Sequence, residues 1–212
     1  MIRWMLDLLF PPRCVLCHRF LPSSREPVCD PCGKYLLRQQ IQIRRGRYYS
    51  YCVSPLTYEE PVRGSVHRFK FAGRRFYAKA YGLWLAAAIR QEDLEYDMVT
   101  WVPVSRKRLR KRGYDQSELL CKETAEHLGA EPVRCLRKVR HNPPQSSLTQ
   151  AEKRKSNVAG AYMPACSCDL SGKRVLLIDD VITSGATLEE CSRVLQLSGV
   201  KEVVCATLAQ AK

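Results

Sequence analysis

Val175-Leu-Leu-Ile-Asp-Asp-Val-Ile-Thr-Ser-Gly-Ala-Thr187 decides how this chain is read. Val175–Ile178 is fully apolar, as a strand covered on both faces must be. Two adjacent carboxylates, Asp179 and Asp180, follow at its carboxyl end, where open α/β sheets bind their ligands. Two acids at such a place are costly to bury unless hydroxyls, a cation or another hydrogen-bonding group meets them. Thr183-Ser184-Gly185-Ala186-Thr187 then turns into a helix expected over Leu188–Ser198, with Thr187 and Glu190 spaced as a capping box. The backbone N–H groups of such a turn, with the helix N-terminus behind them, form an anion site, and Gly185 permits close backbone approach. Thr183, Ser184 and Thr187 add hydroxyl donors. One end of the stretch therefore suits a phosphate and the other a sugar diol. The chain lacks GxGxxG and GxxxxGK[ST], which argues against a Rossmann dinucleotide site and a P-loop.

Outward from this stretch, Gly199 ends the helix and Glu202–Leu208 reads as a further strand. Upstream, residues 74–90 carry Phe76, Ala80, Leu83, Trp84 and Ala87 on one side of a helix. Residues 98–104 (MVTWVPV) read as a buried strand, and 115–128 as a helix with Asp115 at its N-cap, Glu118 three residues on and Gly129 at its stop. Strands alternating with helices after about residue 70 predict an α/β fold, a parallel sheet with helices on both faces. Residues 48–58 (YYSYCVSPLTY) read as a strand or hairpin, and residues 1–10 as a short apolar helix stopped by Pro11-Pro12. Residues 139–158 hold Pro143-Pro144 and no periodicity, so a long loop is expected, of the kind usually tied to function.

Composition narrows the class. The chain has 212 residues, 45% hydrophobic and 26% charged, which excludes a disordered chain, a collagen or a coiled coil. Its longest apolar run, Leu83–Ile89, falls far short of the roughly 20 residues a membrane span needs. The N-terminus carries Arg3 and Asp7 without a small-residue cleavage site, so a cytoplasmic location is expected. Residues 101–158 hold 14 basic and 6 acidic residues, net +8, out of +14 for the chain. Such a concentration points to polyanionic partners: phosphate esters, nucleic acid or acidic lipid. Its densest part is Ser105–Arg112 (SRKRLRKR), and the plain alternative is a solvated loop.

Of the 11 cysteines, four form a pattern. Cys14-Val-Leu-Cys17 and Cys29-Asp-Pro-Cys32 are two CxxC turns, each able to present two thiolates to one metal. Together they complete a tetrahedral sulfur site suited to Zn²⁺, with no open position, hence structural. A redox pair explains one CxxC and not two. Cys52, Cys121, Cys135, Cys191 and Cys205 stand alone among apolar or helical residues and read as buried filler. Cys166 and Cys168 have no assigned role.

The strand, acid pair and TSGAT turn resemble the signature of type I phosphoribosyltransferases, which bind 5-phosphoribosyl-1-pyrophosphate (PRPP) with Mg²⁺. Val102-Pro-Val-Ser105 with RKRLRKRGYDQS behind it, Pro144-Gln145, Lys153-Arg154 and Asn157-Val158-Ala-Gly160 resemble the ComF family, competence-associated proteins with a Cys₄ module ahead of a phosphoribosyltransferase-like domain. The resemblance covers nearly the whole chain and divides it into an N-terminal module, 1–47, and a phosphoribosyltransferase-like domain, 48–212. It implies Asp179 and Asp180 as the catalytic acids on the ribose hydroxyls, residues 183–187 (Thr183, Ser184, Gly185, Ala186, Thr187) around the 5′-phosphate, and Ser105, Arg106 and Lys107 in a loop over the pyrophosphate. Asp115 stands where Asn is expected in RGYNQ and adds a negative charge to that loop. Six positive charges exceed what one pyrophosphate requires. The surplus, Arg108, Arg110, Lys111 and Arg112, with Arg137, Lys138, Arg140, Lys153, Arg154 and Lys155, is expected to follow a single-stranded DNA backbone, and Tyr114 to stack on a base. Competence proteins such as a DNA helicase are further partners the resemblance implies. Two functions stand: a PRPP-binding protein that handles single-stranded DNA in natural transformation and DNA uptake, or a working transferase acting on an unknown nitrogen nucleophile. No segment in the sequence reads as a pocket for the acceptor.

Overall fold

The structure is a computed structural model that describes residues 11–140, 158–165 and 169–212. The expected helix over 1–10, most of the expected 139–158 loop and the Cys166/Cys168 pair lie outside the described residues. Fourteen elements follow in order among the described residues. These are α1 (Asp30–Leu37), β1 (Gln42–Arg44), β2 (Cys52–Ser54), β3 (Leu56–Thr57), α2 (Val62–Phe71), α3 (Tyr77–Gln91) and β4 (Met98–Trp101). Then come α4 (Arg106–Arg112), α5 (Gln116–Leu128), β5 (Leu136–Lys138), β6 (Tyr162–Pro164), β7 (Arg174–Ile182), α6 (Ala186–Leu197) and β8 (Glu202–Gln210).

The main sheet runs β1-β2-β8-β7-β4, with β3 also on β8. All its pairings are parallel except β1 with β2. Alternation along β7 sends Leu176 and Ile178 into one core with Phe69, Tyr81, Leu85 and Leu120 of α2, α3 and α5. It sends Val175 and Leu177 into the opposite core with Leu188, Cys191, Val194 and Leu195 of α6. The expected parallel sheet with helices on both faces is present. Gly82 brings α3 onto α5, since a Cβ there would sit 2.6 Å from Glu123 Cβ. The five isolated cysteines are buried, as expected of filler.

Four differences from the sequence reading matter. β7 runs two residues past the acid pair, with Val181 and Ile182 still registered on Ala209 and Gln210. β4 stops at Trp101 opposite Ile178, so Asp179 and Asp180 lie where one neighbouring strand has ended and the other continues. Residues 106–112, expected as a loop, form α4. Ser105 Oγ accepts from Arg108 N at 3.4 Å as its N-cap, and Gly113 in the left-handed region at φ 76 ends it. Arg, Lys and Leu between an N-cap Ser and a C-terminal Gly are helix formers, so the signal was present and charge density obscured it. The helices α1 and α2 and the strands β1, β5 and β6 were not anticipated. Finally, the expected boundary at 47/48 falls between the paired strands β1 and β2, so the segment assigned to the N-terminal module supplies the sheet's edge.

Candidate functional site

The acid pair is buried and met by side chains from two helices, α2 and α5. Asp179 Oδ1 accepts from Ser117 Oγ at 2.8 Å and from the Asp180 backbone N–H at 2.8 Å. Asp180 Oδ1 accepts from Lys70 Nζ at 2.7 Å. Its Oδ2 is buried without a hydrogen-bond partner among the described residues. Burial first, and then the neighbouring Asp180 charge, push the Asp179 carboxyl up to about 7, against the opposing pull of Lys70. The site therefore holds one ionic pair, Lys70–Asp180, beside an acid whose proton is retained to neutral pH.

Local sequence explains the placement of Ser117. Asp115 is the N-cap of α5: its carboxylate accepts from Ser117 N at 3.0 Å and Glu118 N at 3.2 Å, and also from Val104 N at 2.9 Å. The charge that distinguishes Asp115 from Asn thus goes into backbone capping, where burial raises its pKa and the three N–H groups lower it. Arg112, at the end of α4, donates from Nη1 to Gln116 Oε1 at 2.6 Å. Burial lowers its guanidinium pKa and the Asp180 charge opposes that.

The 183–187 turn follows the acids directly. Gly185, at φ 81, is the N-cap of α6, and the helix begins at Ala186, two residues before the expected start. The expected capping box is absent: Glu190 Oε1 accepts from Gly160 N at 2.7 Å and its carboxylate pairs with Arg193 at 2.9 Å. Thr183 and Ser184 are exposed, so their hydroxyls face solvent-accessible space. What holds the turn is Arg44 of β1, whose Nη1 and Nη2 donate to Thr183 O at 2.6 Å and Ser184 O at 3.0 Å. With the carbonyls taken, the turn's N–H groups are left for an anion. Neither Arg44, Lys70 nor Ser117 was singled out from sequence. Arg44 and Lys70 carry no local signal, being 139 and 110 residues from their partners. Ser117 could have been found in the run GYDQS that opens α5.

Ser105, Arg106 and Lys107 line a cavity of about 620 Å³ with Trp101, Asp115 and Lys138. Lys138 donates to Tyr162 Oη at 2.8 Å, and burial lowers its ammonium pKa. Arg106, Lys107, Arg108, Arg110 and Lys111 are exposed along α4. Tyr114 does not fit the stacking role expected of it. It is 7% exposed, it donates to Phe69 O, and Arg75 covers its ring at 4.8 Å. The ring is packed between α2 and the α4–α5 turn, where the core required an aromatic.

The four paired cysteines converge against α2 and α3, with Sγ atoms all within 4.8 Å of one another. Cys17 and Cys29 Sγ are 3.5 Å apart, close to the roughly 3.8 Å edge of a tetrahedron with about 2.3 Å metal–sulfur bonds. Cys29 is the N-cap of α1 and Cys32 sits in its first turn; burial first, and then the neighbouring cysteine side chains, push the Cys32 thiol up. Burial raises the Cys14 thiol, but N–H groups of Cys17 and Cys29 outweigh it and bring it to about 7. The cluster fits a structural metal. It is fastened to the fold: Ser65 Oγ donates to Val15 O, Arg68 donates to Leu16 O, and Cys14, Val15, Leu16 and Cys32 share the core of α2 and α3. No helix among the described residues is long and apolar enough to cross a membrane.

Comparison with known proteins agrees with this architecture. Residues 115–212 match the phosphoribosyl transferase domain. The chain is 27% identical over 230 residues to competence protein F of Haemophilus influenzae, covering 94% of this chain and 97% of that one. It is 27% identical to DNA utilization protein YhgH of Salmonella typhimurium, covering 95% and 100%. It is also 27% identical to competence protein ComFC of Bacillus subtilis, covering 88% and 72%.

Proposed function

We infer that this chain, a homologue of the ComF competence proteins with a phosphoribosyl transferase domain over residues 115–212, binds PRPP at the β7–α6 site and engages single-stranded DNA on the basic surface of α4. The observation that carries the first half is the buried acid pair of β7 running directly into a glycine turn whose carbonyls are occupied by Arg44. A ribose diol supplies hydroxyl donors to Asp179 and Asp180, and its 5′-phosphate takes the N–H groups of residues 183–187 at the α6 N-terminus. Lys70 holds Asp180 by a 2.7 Å ion pair, and Ser117 holds Asp179 in place. The orphan Asp180 Oδ2 suits Mg²⁺, which binds carboxylate together with substrate phosphates. Asp179 and Asp180 would hold the ion's shell, and the ion, when bound, would offset pyrophosphate charge. Ser105, Arg106 and Lys107 stand at the start of α4 to meet the pyrophosphate.

The DNA half rests on six cations of α4, of which five are exposed, and on relatives named for competence and DNA utilization. Transfer of the phosphoribosyl group is a second reading, favoured by the cavity of about 620 Å³ beside the site, of a size that holds a small-molecule acceptor. Competence proteins such as a DNA helicase remain proposed partners, with a cytoplasmic location, and Zn²⁺ the proposed occupant of the cysteine cluster.

Calorimetry with PRPP and Mg²⁺ tests the reading. Asp179→Asn with Asp180→Asn should weaken PRPP binding by at least about a hundredfold, since hydrogen bonds to charged groups are worth about 1.5–3 kcal/mol each. The thermal midpoint should fall, because Asp180→Asn leaves the Lys70 ammonium without its ionic partner, so affinity is compared in the folded double variant. Unchanged affinity in a folded double variant defeats the assignment. Pyrophosphate release from PRPP with a panel of nucleobases separates transferase from binding protein.

A further inference from the structure

Helix α2 ends by turning two neighbouring side chains in opposite senses. Lys70 points inward, its ammonium on Asp180. Phe71 points outward and is 58% exposed. Its ring is not loose. His67, one turn earlier, lies against it at 4.8 Å between centroids with the planes tilted by 45°. The Arg112 guanidinium sits 4.6 Å from the ring centroid. That guanidinium is itself held by Gln116, so the ring is fixed between α2 and the end of α4. Around it the sequence is basic and free of acids: residues 67–75 hold Arg68, Lys70, Arg74 and Arg75, and residues 105–112 hold no Asp or Glu.

An exposed, immobilised aromatic ring set among cations has a specific use. A base offers a flat π-face to stack on it, and the phosphates on either side meet the cations. A protein partner would call for a wider apolar surface than one ring within a charged rim. We propose that Phe71 is a stacking platform for a base of a single-stranded nucleic acid whose phosphates lie along the cations of α4. The inference rests on the DNA-binding reading above and assigns its stacking contact to Phe71 instead of the buried Tyr114. It also places a base at the C-terminal end of α2, the helix whose Lys70 bonds Asp180.

Stacking and charge respond differently to salt, and the test uses this. Fluorescence anisotropy of the full chain is measured with a labelled oligo(dT) strand of about 20 nucleotides and with an abasic strand of equal length, across a salt series. Wild type should prefer the dT strand. Phe71→Ala should lose roughly 5- to 150-fold on dT, the range for one lost base–aromatic stack, with an unchanged logarithmic salt slope and unchanged affinity for the abasic strand. Phe71→Trp should retain the preference, which guards against misreading a folding defect. Replacing Arg106, Arg108 and Arg110 with Ala should weaken both strands alike and flatten the slope by about 2, at about 0.7 per phosphate. If wild type binds dT and Phe71→Ala binds it equally, the platform is wrong while the DNA reading stands. If wild type binds neither strand, the DNA reading fails and the platform with it.

Discussion

The cysteine cluster and the acid-pair site differ in how far along the chain their parts are gathered. The cluster takes four ligands from residues 14–32, and its supports come with them: Cys14 N bonds Arg19 O, and Val15 N bonds Pro27 O, both at 2.8 Å. The acid-pair site takes Arg44 from β1, Lys70 from α2, Arg112 and Ser117 from α4 and α5, and residues 179–187 from β7 and α6. Ligands for a metal must be spaced to fold back on one point, and CxxC states that spacing in the sequence. A ligand site at the end of a parallel sheet has its parts delivered by separate crossovers, and nothing local announces a partner a hundred residues away. One region is closed and spelled out. The other is open and assembled by topology.

The largest expected effect separates the two regions by asking whether they are separable at all. Cys29→Ser removes one thiolate from a closed shell, and structural zinc sites contribute about 10–16 kcal/mol of apparent binding free energy to folding. Metal should be lost and soluble yield should collapse, because Val15, Leu16 and Cys32 share a core with Phe69 and Tyr81. Elemental analysis of purified wild type should find one zinc per chain. Cys121→Ala, more deeply buried than Cys29 but outside the cluster, should cost only about 1 kcal/mol, the usual scale of a point substitution. Zinc-free wild type that is soluble and monodisperse would contradict the structural role.

A middle-sized effect probes the long-range assembly of the open site. Arg44 holds two turn carbonyls from an edge strand that follows the cysteine helix, so a side chain of the N-terminal segment grips the 183–187 turn. Arg44→Ala should weaken PRPP by roughly tenfold, the scale of one charge-assisted hydrogen bond net of solvation. Arg44→Lys should recover part of that, since a single ammonium cannot grip both carbonyls as a fork does. The thermal midpoint should move little, because these contacts are exposed. Equal PRPP affinity in all three proteins would mean that the turn keeps its shape unaided.

These cases show where legibility stopped. The strand β7, its acids, the Gly185 turn, α3, α5 and β8 were readable because apolar runs, caps and glycine stops are local. The Asp115 cap was readable for the same reason. The helix α4 was misread because six cations in eight residues drew attention from an ordinary Ser N-cap and Gly stop. Tyr114 was expected to stack because it follows a run of cations, whereas Phe69 and Arg75 enclose it in three dimensions. Arg44 and Lys70 could not be read, since only the sheet order brings them to β7.

The smallest effect tests whether Lys70 is the cation that makes this acid pair tolerable. Asp179 has its carboxyl raised from 3.8 to about 7 by burial and by Asp180. The folded state thus retains a proton that the unfolded chain has released above about pH 4. Stability from this group is present at low pH and is lost as pH rises through the window toward 7, the opposite sign to a salt-bridged carboxylate. Urea unfolding of wild type should show that decline between about pH 4 and 7, levelling above it, and Asp179→Asn should remove it. Lys70→Met then sharpens the assignment. Without the ammonium 2.7 Å from Asp180, the acids lose their direct ionic partner, and the decline should continue to higher pH than in wild type. A parallel pair of curves for wild type and Asp179→Asn would show that Asp179 ionises normally in the fold. A Lys70→Met curve that levels where wild type does would show that Arg112, the other cation coupled to Asp180, carries the charge balance instead.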